Sequence, residues 1–437
     1  MKISSIEIIK KLRAEGFEAL WAGGCVRDML LGITPKDFDI ATNATPTDIK
    51  RIFEKVIPIG EEFGVVLIEQ NGHHFEVATF RSDSGYSDGR RPDAVIFTSA
   101  KEDALRRDFT INALFYDPIK DEILDFVDGQ KDLDLKLVRF IGVPHERIIE
   151  DNLRILRAVR FKNTYDFQYH PETFNAVKKH AALVSSVSGE RVRDELNKMI
   201  MHSSFSSSLE DMEDTGVLDV ILPEIQKMKG MAQPLEYHKE GDLWDHMVQS
   251  VKAINKDSPL ALRWAIFLHD VGKTETFSID ERIRYDHHAE VSAEIAKKIM
   301  RRLCFSKKII DEVCWLIKHH MSVYQVIDMT VGRRRHWFLQ PYFLDLLELN
   351  RCDSMGATPH RLNRYNQVYL LYRSELDHIK NAPLPIISGD DVMRVLKIVP
   401  GPRVGKFVQE VRYLQLEGEL LDFNAAEQWL LKNKDVL

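Results

Sequence analysis

The sequence predicts an α+β chain in which the first third alternates short strands and helices and the remainder is helical. Three observations carry this expectation. Phe63–Ile68 and His74–Phe80 are strand-like runs with Asn71-Gly72 as a turn signal between them. From about residue 150 onward apolar side chains recur at helical spacing, first in Glu150–Phe161. At 437 residues the chain is also too long for one compact core, so two to four domains are expected.

Composition is that of an ordinary globular protein, and the net charge of −7 does not advertise a nucleic-acid binder. Any RNA contact must come from a local basic face. The four cysteines (25, 304, 314 and 352) show no C-x-x-C spacing, which suggests reduced thiols and a cytoplasmic setting. Residues 1–17 read as an amphipathic helix without the apolar segment of a signal peptide. No run approaches membrane-spanning length, so no membrane partner is expected.

The chemistry begins at Gly23-Gly24-Cys25-Val26-Arg27-Asp28, followed nine residues later by Asp37-Phe38-Asp39. Adjacent glycines opening a helix, here expected over Val26–Leu31, let backbone N–H groups approach a phosphate where the helix dipole favours negative charge. Arg27 adds a fork of donors that suits phosphate oxygens. In the extended run Asp37–Ile40, residues i and i+2 share a face, so Asp37 and Asp39 point the same way. Two carboxylates beside a phosphate cradle suit Mg²⁺, which takes a few carboxylates plus substrate phosphates. Each motif is common alone, but the order and spacing together read as metal-assisted nucleotidyl transfer. Glu76, on the second strand of the hairpin, either brings a third carboxylate to this site or is an ordinary strand residue. Alternation alone leaves that open.

The segment GGCVRDMLLG…DFDIATNATP resembles the head of the class II tRNA nucleotidyltransferases and bacterial poly(A) polymerases, within the polymerase-β-like superfamily. The resemblance implies a nucleotidyltransferase head with a small mixed sheet and helices, then an all-helical neck, body and tail. Arg81–Asp93 reads as a mobile loop. In the resembled family a loop here is linked to addition of the final A, which argues against a CC-only enzyme. The RRDFTINAL motif lines the family's nucleotide site, and this carries over to Arg107, Asp108 and Asn112.

Within the expected helix Glu150–Phe161, Asp151, Arg154, Arg157 and Arg160 fan over one half of the surface and Ile155, Leu156 and Val159 over the other. Three arginines with few acids are poorly balanced unless an anion sits there. The helix matches the family's EDxxR signature, in which an Asp and an Arg act as a protein template. A carboxylate accepts from the exocyclic amine of cytosine or adenine, and arginine donates to a ring nitrogen or carbonyl. Asp151 and Arg154 are thus expected to select C and A, with Arg157 and Arg160 meeting phosphates. Another charged helix covers Glu190–Leu196, and Ser203–Ser208 reads as a junction.

A second signature follows Glu240-Gly241-Asp242. It comprises His246, His269-Asp270 before Val271-Gly272-Lys273, His288, His319 (or His320) and Asp353. Imidazoles and carboxylates on separate helices converging in a bundle make a divalent metal site. The set resembles an HD-type phosphohydrolase domain, with phosphohydrolase turnover or a purely structural module both open. Residues 401–406, including Arg403 and Lys406, form a basic patch that resembles the tail segment of family members; it reads as a solvated loop in an otherwise helical tail, with contact to tRNA phosphates as the alternative.

The expected domains are a head (1–140), a helical neck and body carrying the nucleotide-selecting helix (141–235), an HD-type domain (236–360) and a helical tail (361–437). The expected function is building or repairing the 3′ CCA end of tRNA from CTP and ATP. Mg²⁺ is expected on Asp37 and Asp39, and another divalent ion in the HD site. The expected site is completed by Gly24, Arg27 and Arg107 around the triphosphate. Alternatives are an enzyme adding only the terminal A, a poly(A) polymerase, and a metal-dependent phosphohydrolase with a non-catalytic RNA-binding head.

Overall fold

The structure, a computed structural model, describes residues 1–84, 94–234, 236, 239–279 and 281–435. It divides into two compact units, Met1–Pro223 and Glu224–Leu437. The expected head–neck boundary at 140 lies inside the first unit.

The first unit is built on a mixed sheet. Its strands in chain order are β1 (Ala19–Ala22), β2 (Ile40–Thr42), β3 (Val56–Gly60), β4 (Val65–Gln70) and β5 (His73–Thr79). They are followed by β6 (Arg81–Ser84), β7 (Ala94–Phe97), β8 (Phe115–Asp117) and β9 (Glu122–Leu124). Seven of these strands form one sheet in the order β3-β4-β5-β2-β1-β8-β9, and β6 and β7 form a separate antiparallel ladder.

The β4–β5 hairpin forms because Asn71 (φ 52°) and Gly72 (φ 74°) both take the left-handed conformation that a tight primed turn requires. Alternation then buries Val66, Ile68, Phe75 and Val77, each worth about 1.5–3 kcal/mol of burial. Parallel pairing sets Ile40 of β2 opposite Val77 of β5. The residues one step earlier, Asp39 and Glu76, therefore share the opposite face at the strand entrances.

Three local expectations change here. The helix after the glycines runs Gly24–Leu30, starting two residues early. Asp37 and Asp39 precede β2 and do not lie within it. Of the loop expected over Arg81–Asp93, Arg81–Ser84 is a strand paired with Ala94–Phe97, which follows the loop, and residues 85–93 lie outside the described chain.

The helix expected over Glu150–Phe161 is two helices, Pro144–Glu150 and Arg154–Thr164, broken at Asp151. Asp151 is extended (φ −150°, ψ 103°), and its Oδ1 accepts from the Leu153 N–H at 3.1 Å. Such a side-chain bond offers the backbone an alternative to the helical ladder, so the first helix ends and the second begins. Helices Pro171–His180, Gly189–Ile200 and Phe205–Asp214 pack below; the last starts inside the serine tract expected as a junction.

The second unit is helical apart from a short hairpin, Phe277–Ile279 with Ile283–Tyr285. Helices Leu243–Lys252, Leu260–Leu268, His288–Arg302, Lys307–His319 and Phe343–Gly356 position its functional side chains. The expected loop at 401–406 is instead the first turn of helix Pro402–Glu417, and Val404 and Phe407 enter an apolar cluster with Val392 and Leu430. None of the four cysteines forms a disulfide. Among the described residues no helix is long and apolar enough to cross a membrane.

Candidate active site and histidine cluster

A cleft of about 850 Å³ opens in the first unit, lined by Gly23, Gly24, Asp37, Asp39 and Glu76 and by Arg27, Arg107, Arg154, Arg157 and Arg160. That volume suits a bound nucleotide. Gly23, more than Gly24, is the position that must be glycine. Its φ is +71°, its N–H donates to the Leu114 carbonyl at 2.9 Å, and a Cβ would stand 2.8 Å from Arg107 Nη1. A side chain at Gly24 would meet only Arg27 Nη2, at 3.6 Å.

Asp37, Asp39 and Glu76 form the acidic wall. Burial, then the neighbouring Glu76 and Asp37 carboxylates, pushes Asp39 up to about 7. Burial and Asp37 also raise Glu76, partly opposed by Arg107. Burial and neighbouring carboxylates thus disfavour the charged forms of Asp39 and Glu76, and carboxylate oxygens are the donor type that a divalent cation takes. Glu76 thus joins the pair expected from the sequence; β2–β5 pairing, invisible in alternation, puts it there.

In the same cleft the cationic side chains are already held. Arg27, 6% exposed, donates through Nε (2.9 Å) and Nη2 (2.7 Å) to Asp28 Oδ1, reaches Asn112 Oδ1, and lies 4.4 Å over the Tyr165 ring. Arg107 is clamped through Nε and Nη2 on Asp103 Oδ2 at 3.1 and 2.9 Å, and Arg106 takes Asp103 Oδ1 at 2.6 Å. Asp103 is a buried residue the sequence reading passed over; its spacing of three and four from the two arginines was the available signal. Asp108 and Asn112 line the cleft, but Asp108 accepts from Asn112 Nδ2 at 3.1 Å and Arg157 Nε at 2.7 Å. Through these bonds Asn112 contacts Arg27, and Asp108 contacts Arg157.

The arginine fan is balanced, contrary to the expectation of missing acids. Arg154 pairs with Glu150 at 2.6 Å, Arg157 with Asp108 at 2.5 Å and Arg160 with Glu195 at 2.5 Å. Two of these partners are far along the chain, so helical spacing alone could not show them. Asp151 and Arg154 both line the cleft, and Asp151 Oδ2 accepts from Arg191 Nη2 at 2.8 Å. Lys198, on the Gly189–Ile200 helix, is a further cleft cation missed in the sequence.

In the second unit two groups of ligand atoms share Asp270: His246, His269, Asp270 and Asp353, and Asp270, His288 and His320. Asp270 Oδ2 lies 3.6 Å from His246 Nε2 and 3.4 Å from His269 Nε2, while Oδ1 lies 3.5 Å from His288 Nε2 and 3.9 Å from His320 Nε2. Nδ1 of His269, His288 and His320 meets the carbonyls of Ile266 (2.8 Å), Tyr285 (2.9 Å) and Ile317 (2.7 Å). That pairing fixes each ring with Nε2 inward. His269 Nε2 is buried and makes no hydrogen bond within the described structure. An orphaned imidazole nitrogen beside two carboxylates fits a metal ion.

His320, not His319, belongs to this cluster. One residue is about 100° of helix, and His319 turns instead onto Trp315 (4.8 Å between ring centroids) and Trp337 (5.3 Å). Lys273 Nζ, 2.6 Å from Asp270 Oδ2, is a buried cation beside the cluster.

Three family profiles match the chain: the poly A polymerase head domain over residues 19–139, the probable RNA and SrmB-binding site of polymerase A over 166–229, and the HD domain over 242–336. The CCA-adding enzyme of Ligilactobacillus salivarius is 44% identical over 425 residues, covering 96% of this chain and 93% of the relative. The chain belongs to the CCA-adding enzymes. It is therefore a tRNA-processing nucleotidyltransferase carrying an HD domain. The CCA-adding enzyme of Streptococcus suis is 30% identical over 419 residues, 95% of this chain and 93% of its own. Among solved structures, the Bacillus stearothermophilus CCA-adding enzyme in complex with CTP superposes with a TM-score of 0.74 at 25% identity, covering 99% of this chain and 97% of that one. The Thermotoga maritima CCA-adding enzyme complexed with tRNA shares the fold, with a TM-score of 0.57 at 21% identity over 99% and 95% of the two chains. Nucleotidyltransferase and HD domains typically depend on metal ions, and the histidine cluster is a possible metal-binding group.

Proposed function

We infer that this CCA-adding enzyme extends tRNA 3′ ends with C, C and A from CTP and ATP in the cytoplasm. The observation that carries the reading is that three carboxylates, Asp37, Asp39 and Glu76, and a set of arginines line one nucleotide-sized cleft. Asp37 and Asp39, with Glu76 beside them, would hold Mg²⁺. Bound there, Mg²⁺ supplies a lowered pKa for the attacking 3′-hydroxyl and compensation for charge at the α-phosphate and pyrophosphate.

The chain's own residues do the rest. The Gly23-Gly24 turn brings backbone N–H groups close to the triphosphate at a helix N-terminus. Arg27 and Arg107 are held ready by Asp28 and Asp103, so little side-chain freedom is lost when phosphate oxygens arrive. Arg157 and Arg160 reach phosphates by exchanging Asp108 and Glu195 for the ligand. Asp151, anchored by Arg191, accepts from the exocyclic amine of cytosine or adenine, while Arg154 donates to the ring. Guanine and uracil present the opposite pattern and would leave buried polar groups unpaired, at about 1–3 kcal/mol each. In the HD domain the histidine cluster would hold a divalent ion for a phosphohydrolase reaction.

Single-turnover extension of three transcripts tests this: tRNA lacking CCA, ending in C, and ending in CC, each with CTP, ATP or both and Mg²⁺. Ordered addition of C, C and A followed by a stop is expected. Growth only of the CC-ending tRNA, by one A, would make the chain an A-adding enzyme. A long A tail would make it a poly(A) polymerase.

A further inference from the structure

Three of the four inward-facing histidines in the HD domain sit at helix ends, and the fourth does not. His269 and His320 follow the last turns of their helices, where backbone carbonyls have no ladder partner, and His288 opens a helix beside the Tyr285 carbonyl. Each borrows a carbonyl three residues earlier to hold Nδ1. His246 lies in the body of helix Leu243–Lys252, where the surrounding carbonyls serve the helical ladder. Its Nδ1 needs an acceptor from elsewhere.

That acceptor is Glu240. Its Oε1 lies 3.2 Å from His246 Nδ1, its Oε2 accepts from the Thr358 N–H at 2.7 Å, and its side chain is 4% exposed. The turn that places it is special. Gly241 has φ +137°, and a Cβ there would stand 2.0 Å from Asp245 Oδ2, so only glycine lets the chain double back before Asp242 caps the helix. Glu240-Gly241-Asp242 is thus a local device that lays a carboxylate against a ring six residues later. On the far side of the ring, Nε2 faces Asp353 Oδ1 at 3.1 Å and Asp270 Oδ2 at 3.6 Å.

We propose that Glu240 is a positioning residue for metal binding in the HD domain, holding His246 as the Nδ1–H tautomer with the Nε2 lone pair directed into the cluster. The proposal rests on the reading of the cluster as a metal site. A carboxylate behind a ligating imidazole fixes ring orientation and strengthens the ligand, and its loss typically costs 10–100-fold in metal affinity. Glutamine cannot replace it. The two donors meet two different oxygens, so with an amide oxygen at one position the amide N–H₂ occupies the other and faces either His246 Nδ1–H or the Thr358 N–H.

The test is titration of the metal-free full-length chain with Co²⁺, followed by visible absorbance, in a D37N/D39N background that silences the cleft carboxylates. Melting temperatures of the metal-free proteins are recorded alongside. The background protein is expected to develop the absorbance of imidazole-ligated Co²⁺, and E240Q to require roughly 10–100-fold more Co²⁺. E240D, which keeps the charge but withdraws it by one methylene, should fall between them and stands in if E240Q fails to fold. Affinity in E240Q within twofold of the background protein, even with a lower melting temperature, would overturn the proposal and leave Glu240 a structural tie to Thr358. Absence of any imidazole-ligated signal in the background protein would instead overturn the metal reading, and the proposal with it.

Discussion

The two sites handle charge in opposite ways. In the cleft, the arginines that would meet a nucleotide are each paired with a carboxylate of the protein, on side chains up to 30% exposed. In the histidine cluster three rings are buried and that of His288 is half-buried, all are held from behind by carbonyls or Glu240, and their inward nitrogens stand 3.1–3.9 Å from carboxylate oxygens. The cleft arrangement suits a ligand that must come and go, because each arginine keeps a counter-charge in both states, a protein carboxylate before binding and a phosphate after it. The cluster arrangement suits an ion that stays, because its donors are fixed before anything binds. One is built for exchange and the other for retention.

Removing a carboxylate from the cleft wall should produce the largest effect. Asp39→Ala is expected to lower nucleotide incorporation by roughly 10³-fold or more, the upper range for loss of a preorganised charge-stabilising group. Circular dichroism and metal binding at the histidine cluster should be unchanged. A D39A protein with near-normal incorporation would break the assignment of the wall.

The cluster supplies a sharper internal control. His320→Ala is expected to weaken metal retention by at least about 10–100-fold, measured as bound metal per chain after dialysis. His319→Ala should leave it unchanged, since that ring packs on Trp315. Equal losses in both variants would refute the placement of His320.

The buried clamp behind the cleft arginines predicts a stability effect. Asp103→Ala should cost about 2 kcal/mol in urea unfolding, less than the roughly 3–5 kcal/mol of a fully buried pair because its arginines stay partly solvated. Burial alone would raise Asp103, but Arg107 and Arg106 hold its carboxyl below the ordinary value. Its contribution is therefore present above the unfolded carboxylate range near pH 4 and is lost as pH falls through the lower folded value. The D103A protein should show a smaller loss of stability on acidification than the parent.

The smallest effect is a pH dependence of metal demand. With its carboxyl pushed up to about 7, Asp39 is protonated in the folded protein as pH falls below neutrality, and a protonated carboxyl cannot ligate. The Mg²⁺ concentration for half-maximal extension should rise by up to about tenfold per pH unit below 7 and be flat above it. A flat dependence from pH 6 to 8 would separate Asp39 from the metal requirement.

Much of this was legible in order along the chain. Asn71-Gly72 announced the hairpin because few other residues tolerate two left-handed positions in succession. Gly23-Gly24 followed by Asp37 and Asp39 announced the cleft, and His269-Asp270 the cluster. The break at Asp151 was not legible. Apolar periodicity continues through it, and only the Asp151–Leu153 side-chain bond shows where the ladder stops. The choice between His319 and His320 failed for a related reason, since adjacent residues in a helix differ by a rotation that only packing can decide.

By itself the sequence determined the chemistry available: a glycine turn, paired carboxylates, an arginine-rich segment and a set of histidines, each tied to spacing that local conformational preferences enforce. Tertiary structure alone decided which charges meet. Glu76 reaches Asp39 through parallel strand pairing, Asp108 and Glu195 balance Arg157 and Arg160 across separate elements, and Glu240 finds His246 because a left-handed glycine turns the chain back. Partners distant in sequence have no periodic signature. Their meeting depends on the packing of whole elements, so pairing appears only when the chain is folded.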